Sequence, residues 1–177
     1  MKFFLILFFP ILCQAEYLIG YGIGSFLGRH QLQLERISEN QRHHTFAIFG
    51  FTQDENIGDI RQYSGAYLWS FGQKEFESFK WIPLMAGGFA TFSDHKRFYF
   101  TSPSKYGDPA YYDITNLRMG LRFGSEFTIV RKSGETLRFV LDGSLLEQAL
   151  LTYFNNTSEF EVFPAFWSLG FSIRTEF

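Results

Sequence analysis

The segment from Leu117 to Ile129, "LRMGLRFGSEFTI", decides the fold, because large apolar residues alternate with polar or small residues along most of its length. A helix would spread this alternation around its surface, whereas a β-strand places alternate side chains on opposite faces. The pattern therefore predicts a strand with one apolar face and one face of charges and glycines. After the turn "RKSGE", the segment from Leu137 to Leu145 repeats the pattern, which predicts an antiparallel hairpin.

The same alternation elsewhere predicts eight strands in all, near residues 17–27, 30–37, 45–52, 61–71, 80–92, 117–129, 137–145 and 166–177. The third and fifth strands are apolar on both faces, so the pattern does not predict which face points inward. Pro83 counts against a regular fifth strand. Residues 144–156 fit either a strand or a short helix. Connections between strands alternate broadly between short and long, as they do in transmembrane barrels. The predicted fold is all-β: a closed antiparallel eight-stranded transmembrane β-barrel.

A soluble ligand-binding barrel of the lipocalin sort is the alternative fold, and it would turn the apolar faces inward. The composition bears on this choice, because 20% of the residues are aromatic, 24 of them Phe, while the mean hydropathy is only −0.07. No stretch reaches the roughly 20 apolar residues of a membrane-spanning helix, so a membrane location would require strands. The net charge of −2 and the scattered basic residues argue against a nucleic-acid partner.

The first 15 residues, "MKFFLILFFPILCQA", have the pattern of a secretory signal peptide: a basic start, an apolar run and small residues around Gln14. Cleavage before Glu16 would leave residues 16–177 as a single barrel domain. It would also remove Cys13, so that the mature chain has no cysteine. A lipoprotein signal is the weaker alternative, because Leu12 stands where such signals have a small residue.

Glycines at every second position mark the stretch "YLIGYGIGSF", Tyr17–Phe26. A dinucleotide-binding loop needs a third glycine at a spacing that Gly20, Gly22 and Gly24 do not supply, and no helical pattern follows. A strand with one bulky face and one very small face instead suits the crowded interior of a narrow barrel. We expect these glycines to face the lumen, while the aromatic residues face lipid or form the interfacial girdles.

The last ten residues, "SLGFSIRTEF", complete a pattern that resembles the small eight-stranded bacterial outer-membrane barrels of the OmpA and OmpX kind. In that group a terminal phenylalanine, preceded by alternating apolar residues, is read by the assembly machinery, and Leu169, Phe171, Ile173 and Phe177 match this signal. The resemblance implies a monomer in the outer membrane of a Gram-negative cell. Its implied partners are outer-membrane lipid, lipopolysaccharide and the assembly machinery.

Charged residues recur on the faces that are predicted to point inward. Ionised groups in a narrow lumen need partners or water, so a balanced network is expected there. A transport or proton path is the alternative, although an eight-stranded barrel is filled by its own side chains. The predicted network has four acids and four bases: Glu35, Arg118, Arg122, Glu126, Arg138, Asp142, Arg174 and Glu176.

Catalysis is the competing functional class, because the resemblance includes barrels that deacylate or acylate lipid A. Such chemistry needs a serine, a histidine and an orienting acid. The H-x-S pattern of the deacylases does not occur, although His95, Ser102 and Asp113 form a conceivable triad. The other histidines are His30, near the external end of the second strand, and the pair His43 and His44 in a predicted periplasmic turn, which is a weak metal-site candidate.

The long loop from Ser93 to Ile114 is the best candidate for an external contact surface. Its tyrosines supply amphipathic contact area, and its basic residues could meet lipopolysaccharide phosphates. The candidate residues are Lys96, Arg97, Tyr99, Lys105, Tyr106, Tyr111 and Tyr112. The functional hypothesis is a non-enzymatic outer-membrane protein with a structural or surface-contact role, without cofactor or metal; the alternative is a lipid A modifying enzyme.

Overall fold

The computed structural model of the protein describes residues 15–54, 58–95, 116–131, 135–147 and 167–176. Within these ranges lie nine antiparallel strands: β1 Ala15–Gly24, β2 His30–Ser38, β3 His43–Asp54, β4 Gly58–Ser70, β5 Lys74–Glu75, β6 Phe79–Asp94, β7 Leu117–Val130, β8 Thr136–Leu146 and β9 Trp167–Glu176. The signal-peptide prediction for residues 1–15 falls almost wholly outside the described part of the chain and stays a prediction.

Eight long strands close into a barrel, because β1 pairs with β9 and β4 pairs with β6. The two-residue β5 only extends the edge of β6. The predicted closed antiparallel eight-stranded fold is therefore confirmed. The described part of the chain contains no helix with the length and hydropathy needed to cross a bilayer.

The barrel has two rims. We call the rim that carries Ala15 and Glu176 the terminal rim, and the opposite one the loop rim. The connections β2–β3 and β7–β8 lie at the terminal rim and are short, whereas the connections β6–β7 and β8–β9 at the loop rim are long. The two long connections thus share one rim, as long external loops do in outer-membrane barrels. The β1–β2 and β3–β4 connections at the same rim, residues 25–29 and 55–57, are short and do not follow the predicted alternation.

The outer wall is apolar and the described strands present their large hydrophobic side chains to the surroundings. Tyr21 and Met119 are each 55% exposed and Leu169 is 61% exposed. Glycines on the opposite face are packed against the lumen contents: a Cβ on Gly20 would lie 2.6 Å from Cγ of Arg174. Apolar residues outside and charges inside are the reverse of a soluble protein, and this distribution fits a wall that faces lipid.

One sector of the lumen is apolar, which the sequence pattern left open. On β3, β4 and β6 the inward side chains include Phe46, Leu68, Met85 and Phe89, which are at most 5% exposed. The sequence left the facing of the predicted third and fifth strands open, and the structure places Phe46 of β3 and Phe89 of β6 inside the barrel. Both strands are apolar on their two faces, so alternation alone could not assign them. The outward residues beside them, such as Gly88, are small, so the large side chains of this sector lie inside the barrel.

The first strand is shorter than predicted, because β1 ends at Gly24 and not near Leu27. The β1–β2 connection folds into the loop-rim mouth of the lumen, where Leu27 is fully buried. Nε2 of Gln62 donates to the carbonyl of Phe26 at 2.8 Å and holds this plug in place. A Cβ on Gly50 would lie 1.8 Å from the carbonyl oxygen of Leu27, so the close approach requires a glycine there.

An irregularity interrupts β6 where Pro83 raised doubt about a regular strand. The register of β6 against β7 shifts between Ile82 and Met85. Proline has no backbone N–H to donate to a ladder, and a bulge is where a strand tolerates it. The segment from Phe79 to Asp94 is nevertheless one strand on both sides of the shift.

Candidate functional site: a buried charge network in the lumen

Six of the eight predicted lumen charges are buried side by side, and two are not. Arg118 is half-buried near the loop rim, where its Nη1 lies 3.4 Å from Oε1 of Glu147. Glu176 is exposed at the terminal rim, because it is the last residue of β9. Both residues lie near the end of a strand, beyond the enclosed part of the lumen. They are therefore not part of the buried network. The buried six are Glu35, Arg122, Glu126, Arg138, Asp142 and Arg174.

The network begins near the terminal rim with Arg138 of β8. Its Nη1 donates to Oε1 of Glu126 at 2.9 Å, and its Nη2 contacts Oε1 of Glu16 on β1. Glu126 also accepts a hydrogen bond of 3.1 Å from the hydroxyl of Thr128. Arg138 therefore joins three strands, β1, β7 and β8, through charge-assisted hydrogen bonds, which are stronger than neutral ones.

Arg174 of β9 continues the network across the lumen. Its Nη1 donates to Oε2 of Glu35 on β2 at 2.9 Å and lies 3.8 Å from Oε2 of Glu126. The other oxygen of Glu35 lies 2.7 Å from Nδ1 of His44 on β3. Glu35, His44 and Arg174 all have fully buried side chains. The connected set thus ties β1, β2, β3, β7, β8 and β9 together from inside the barrel.

A second ion pair lies deeper in the lumen. Nε of Arg122 donates to Oδ1 of Asp142 at 3.1 Å, and Nη2 lies 3.1 Å from Oδ2. The guanidinium of Arg122 also lies 5.1 Å from the ring centroid of Phe46, and that of Arg174 lies 4.7 Å from the same ring. Phe46 therefore stabilises both cations by cation–π contact and separates the polar sector from the apolar one.

The ion pair between Arg122 and Asp142 joins residues that are not directly opposite in the β7–β8 hairpin. Asp142 is paired with Gly124, and Arg122 with Ser144, so the ion pair between them is diagonal. Long side chains reach diagonal neighbours on one face of a sheet, so the contact forms although the two residues are not opposite. Gly124 makes this geometry possible, because its Cβ would lie 3.3 Å from that of Asp142.

Two members of the network were missed by reasoning on the sequence. His44 is the first inward residue of β3, but "SENQRHH" was interpreted as a turn. That interpretation is wrong for both histidines, since β3 begins at His43. Glu16 was overlooked because the first strand was started at Tyr17. The alternation of His44 with Phe46 and Ile48, both inward-facing, was the signal that could have found the histidine.

Several buried polar atoms in the lumen make no hydrogen bond to protein: Nη1 of Arg122, Nε and Nη2 of Arg174, Nε2 of His44, Oε2 of Glu126 and the hydroxyls of Ser144 and Ser172. Polar atoms in such a site are normally satisfied by internal water. Candidate metal ligands of Glu35, His44 and Glu126 lie within 4.8 Å of one another. Arg138 and Arg174 already engage both carboxylates, so the cluster suits guanidinium groups better than a metal ion.

The other histidines in strands face outward and bind tyrosines. Nδ1 of His30 lies 2.6 Å from the hydroxyl of Tyr21 near the loop rim, and Nδ1 of His43 lies 2.6 Å from the hydroxyl of Tyr67 near the terminal rim. His43 and His44 lie on opposite faces, so they cannot share a metal ion. His95 follows β6 at the loop rim and is the last described residue before the long loop. The residues predicted to form a triad with it, Ser102 and Asp113, lie outside the described residues.

The remaining sequence predictions are only partly covered. On β9, Leu169, Phe171 and Ile173 face outward and are exposed, as the assembly-signal pattern requires, while Phe177 lies outside the described residues. All seven predicted contact residues of the long loop also lie outside them: Lys96, Arg97, Tyr99, Lys105, Tyr106, Tyr111 and Tyr112.

Comparison with known proteins assigns no family to the chain. No protein-family model matches the chain, and no curated protein matches it. A solved structure described as the crystal structure of the outer membrane enzyme PagL is similar with a TM-score of 0.44 and 13% identity, over 92% of this chain and 98% of that one. A likeness this distant assigns no activity. The class of this chain therefore rests on its own closed barrel, apolar wall and charged lumen.

Proposed function

We propose that the protein is a monomeric integral barrel of the bacterial outer membrane with a non-enzymatic role in the envelope, either structural or as a surface for external contacts. The observation that carries the proposal is the filled lumen. Its charges neutralise one another across six strands, and Leu27 is fully buried at the loop-rim mouth. A filled interior of this kind stabilises the barrel wall and leaves no channel wide enough for a solute to pass.

Lipid A modification is the second candidate, and an adjacent acid and histidine at the loop rim favour it. Ser93, Asp94 and His95 are consecutive at the end of β6, at the level where lipid headgroups of the outer leaflet would lie. Ser93 is only 7% exposed, and its hydroxyl lies 3.5 Å from Nε2 of Gln62. These contacts give Ser93 a packing role, so a nucleophile would have to come from another position.

Deletion of the gene distinguishes the two functions. We expect fractionation to place the protein in the outer membrane, with heat-modifiable gel migration. We also expect the lipid A acyl pattern, measured by mass spectrometry, to be the same with and without the gene, while the sensitivity of the cells to detergent increases on deletion. A changed acyl pattern that a His95→Ala variant cannot restore would overturn the non-enzymatic proposal in favour of the enzyme.

A further inference from the structure

We infer that the outer wall of β1–β4 carries a binding site for a phosphorylated membrane lipid at the loop rim. Its headgroup would be held by Arg29, His30 and Arg61, and an acyl chain would lie in an apolar groove directly below. The inference deepens the proposed contact role and rests on the proposed membrane location. We call this surface the rim lipid site.

The cationic part of the rim lipid site follows from the strand register. His30 is paired with Phe51, and Phe51 is paired with Arg61, so all three lie in one row across β2, β3 and β4. The row faces outward, and His30 and Arg61 are exposed. Two inter-strand spacings separate His30 from Arg61, which is about 10 Å. A phosphate group between them is within reach of both side chains.

Arg29 adds a second guanidinium beside His30. Its backbone N–H donates to the hydroxyl of Thr52 at 2.9 Å, which fixes the exposed residue at the edge of β3. Within the described chain neither Arg29 nor Arg61 forms an ion pair, although Asp94 is the register partner of Arg61. Unpaired arginines at the level of lipid headgroups are suited to bind phosphate oxygens.

His30 is oriented so that its imidazole can donate to the same phosphate as the two arginines. Its Nδ1 lies 2.6 Å from the hydroxyl of Tyr21, and the rings are 6.2 Å apart between centroids. When the phenol donates to Nδ1, the neutral imidazole carries its hydrogen on Nε2. That hydrogen is available to a phosphate oxygen outside the wall. Tyr21 therefore acts as a positioning residue for His30.

The apolar part is a groove of about 490 Å³ on the same strands. It exists because Ala47 is small, whereas Leu34 beside it and Phe49 next on the same face of β3 are large. The row partner of Ala47 on the other side, Gly65, is also small. Phe49 and Tyr63 form one edge, with ring centroids 5.4 Å apart. The outward residues that line the groove are Ile19, Leu32, Leu34, Ala47, Phe49 and Tyr63.

The spacing of the two parts matches a lipid and not a free anion. Ala47 and Phe51 are four residues apart on β3, so the groove floor lies about 13 Å below the cationic row. The row of Leu32, Phe49 and Tyr63 lies between the cationic row and the groove floor and lines the upper end of the groove. A lipid that places its phosphate at the rim would lay the upper part of one acyl chain in this groove. Inorganic phosphate would use only the rim.

Native mass spectrometry of the purified barrel tests the site, with palmitoyl-oleoyl phosphatidylglycerol as the probe. Phosphatidylcholine with the same chains and inorganic phosphate serve as the comparison arms. We expect about tenfold stronger retention of phosphatidylglycerol than of phosphatidylcholine, because guanidinium contacts favour the net negative headgroup. The variant Arg29→Gln/Arg61→Gln should remove the preference, and Ala47→Phe should weaken retention of both lipids by filling the groove.

Matched controls are Arg131→Gln, an exposed arginine at the terminal rim, and Ala86→Phe, another small residue of the outer wall. Both should behave like the wild type, and heat-modifiable migration verifies that every variant folds. Equal retention of the two lipids, retention unchanged by the rim or groove variants, or binding of inorganic phosphate as strongly as lipid would each overturn the inference. Because the assay uses purified protein, its failure would leave the envelope role to be decided by the deletion experiment.

Discussion

Replacing Asp142 by alanine is expected to lower the free energy of unfolding by about 3 to 5 kcal/mol, because Arg122 would keep a buried positive charge without its partner. The side chains of Arg122 and Asp142 are 0% and 3% exposed, and two contacts of 3.1 Å join them. Removing both charges, in Arg122→Ala/Asp142→Ala, should cost less than removing Asp142 alone. Urea unfolding in lipid vesicles of the two single variants and the double variant measures the coupling.

The exposed pair Arg131 and Glu135 is the matched control on the same hairpin. Its side chains are 61% and 67% exposed and lie 3.5 Å apart. Exposed pairs of this kind contribute about 0 to 1 kcal/mol, so its three variants should differ little from the wild type. If the effects of Arg122→Ala and Asp142→Ala simply add, the charges are not coupled, and the lumen is wetter than the structure implies.

The second large effect is expected on the outer wall, where Leu121→Arg should destabilise the barrel by about 2 to 4 kcal/mol. Leu121 is 46% exposed on the outward face of β7, close to the middle of the strand. An arginine there would have to leave water for the hydrocarbon region. The measurement is again unfolding from lipid vesicles, since detergent micelles do not reproduce the depth of a bilayer.

Ile129→Arg is the control for depth. Ile129 lies on the same strand and the same face, is 43% exposed, and is next to the terminal rim. Arginine near the interface costs about 0 to 1 kcal/mol, so this variant should be mild. Similar small effects of both substitutions would mean that the apolar wall does not face a bilayer, and would revive the soluble ligand-binding alternative.

The sequence was most informative where one face of a strand is polar. Alternation in β7, β8 and β9 predicted the inward positions of Arg122, Arg138 and Arg174, and the structure buries all three. It failed on β3 and β6, because a strand that packs apolar residues on both faces has no contrast to read. Phe46 and Phe89 could be placed inside only once the barrel had closed and the small outward residues beside them were known.

The network itself was partly predictable. That buried charges must pair follows from the cost of burying them alone, but which acid meets which base depends on register. The diagonal contact of Asp142 and the reach of Arg174 to Glu35 cross strands far apart in sequence. His44 was missed because the turn before β3 was predicted to extend through both histidines. The plug formed by Leu27 was missed because the first strand was predicted to continue to Leu27, although Ser25 and Phe26 break the alternation just where β1 ends.

Quenching of the native tryptophans tests most directly whether the apolar wall faces lipid. Trp69, Trp81 and Trp167 all lie on the outward faces of their strands. In vesicles of phospholipid brominated on the acyl chains, the tryptophan fluorescence should fall strongly, whereas aqueous iodide should have a weak effect. Strong quenching by iodide without quenching by brominated lipid, in protein that retains its β-sheet circular dichroism, would contradict a transmembrane barrel.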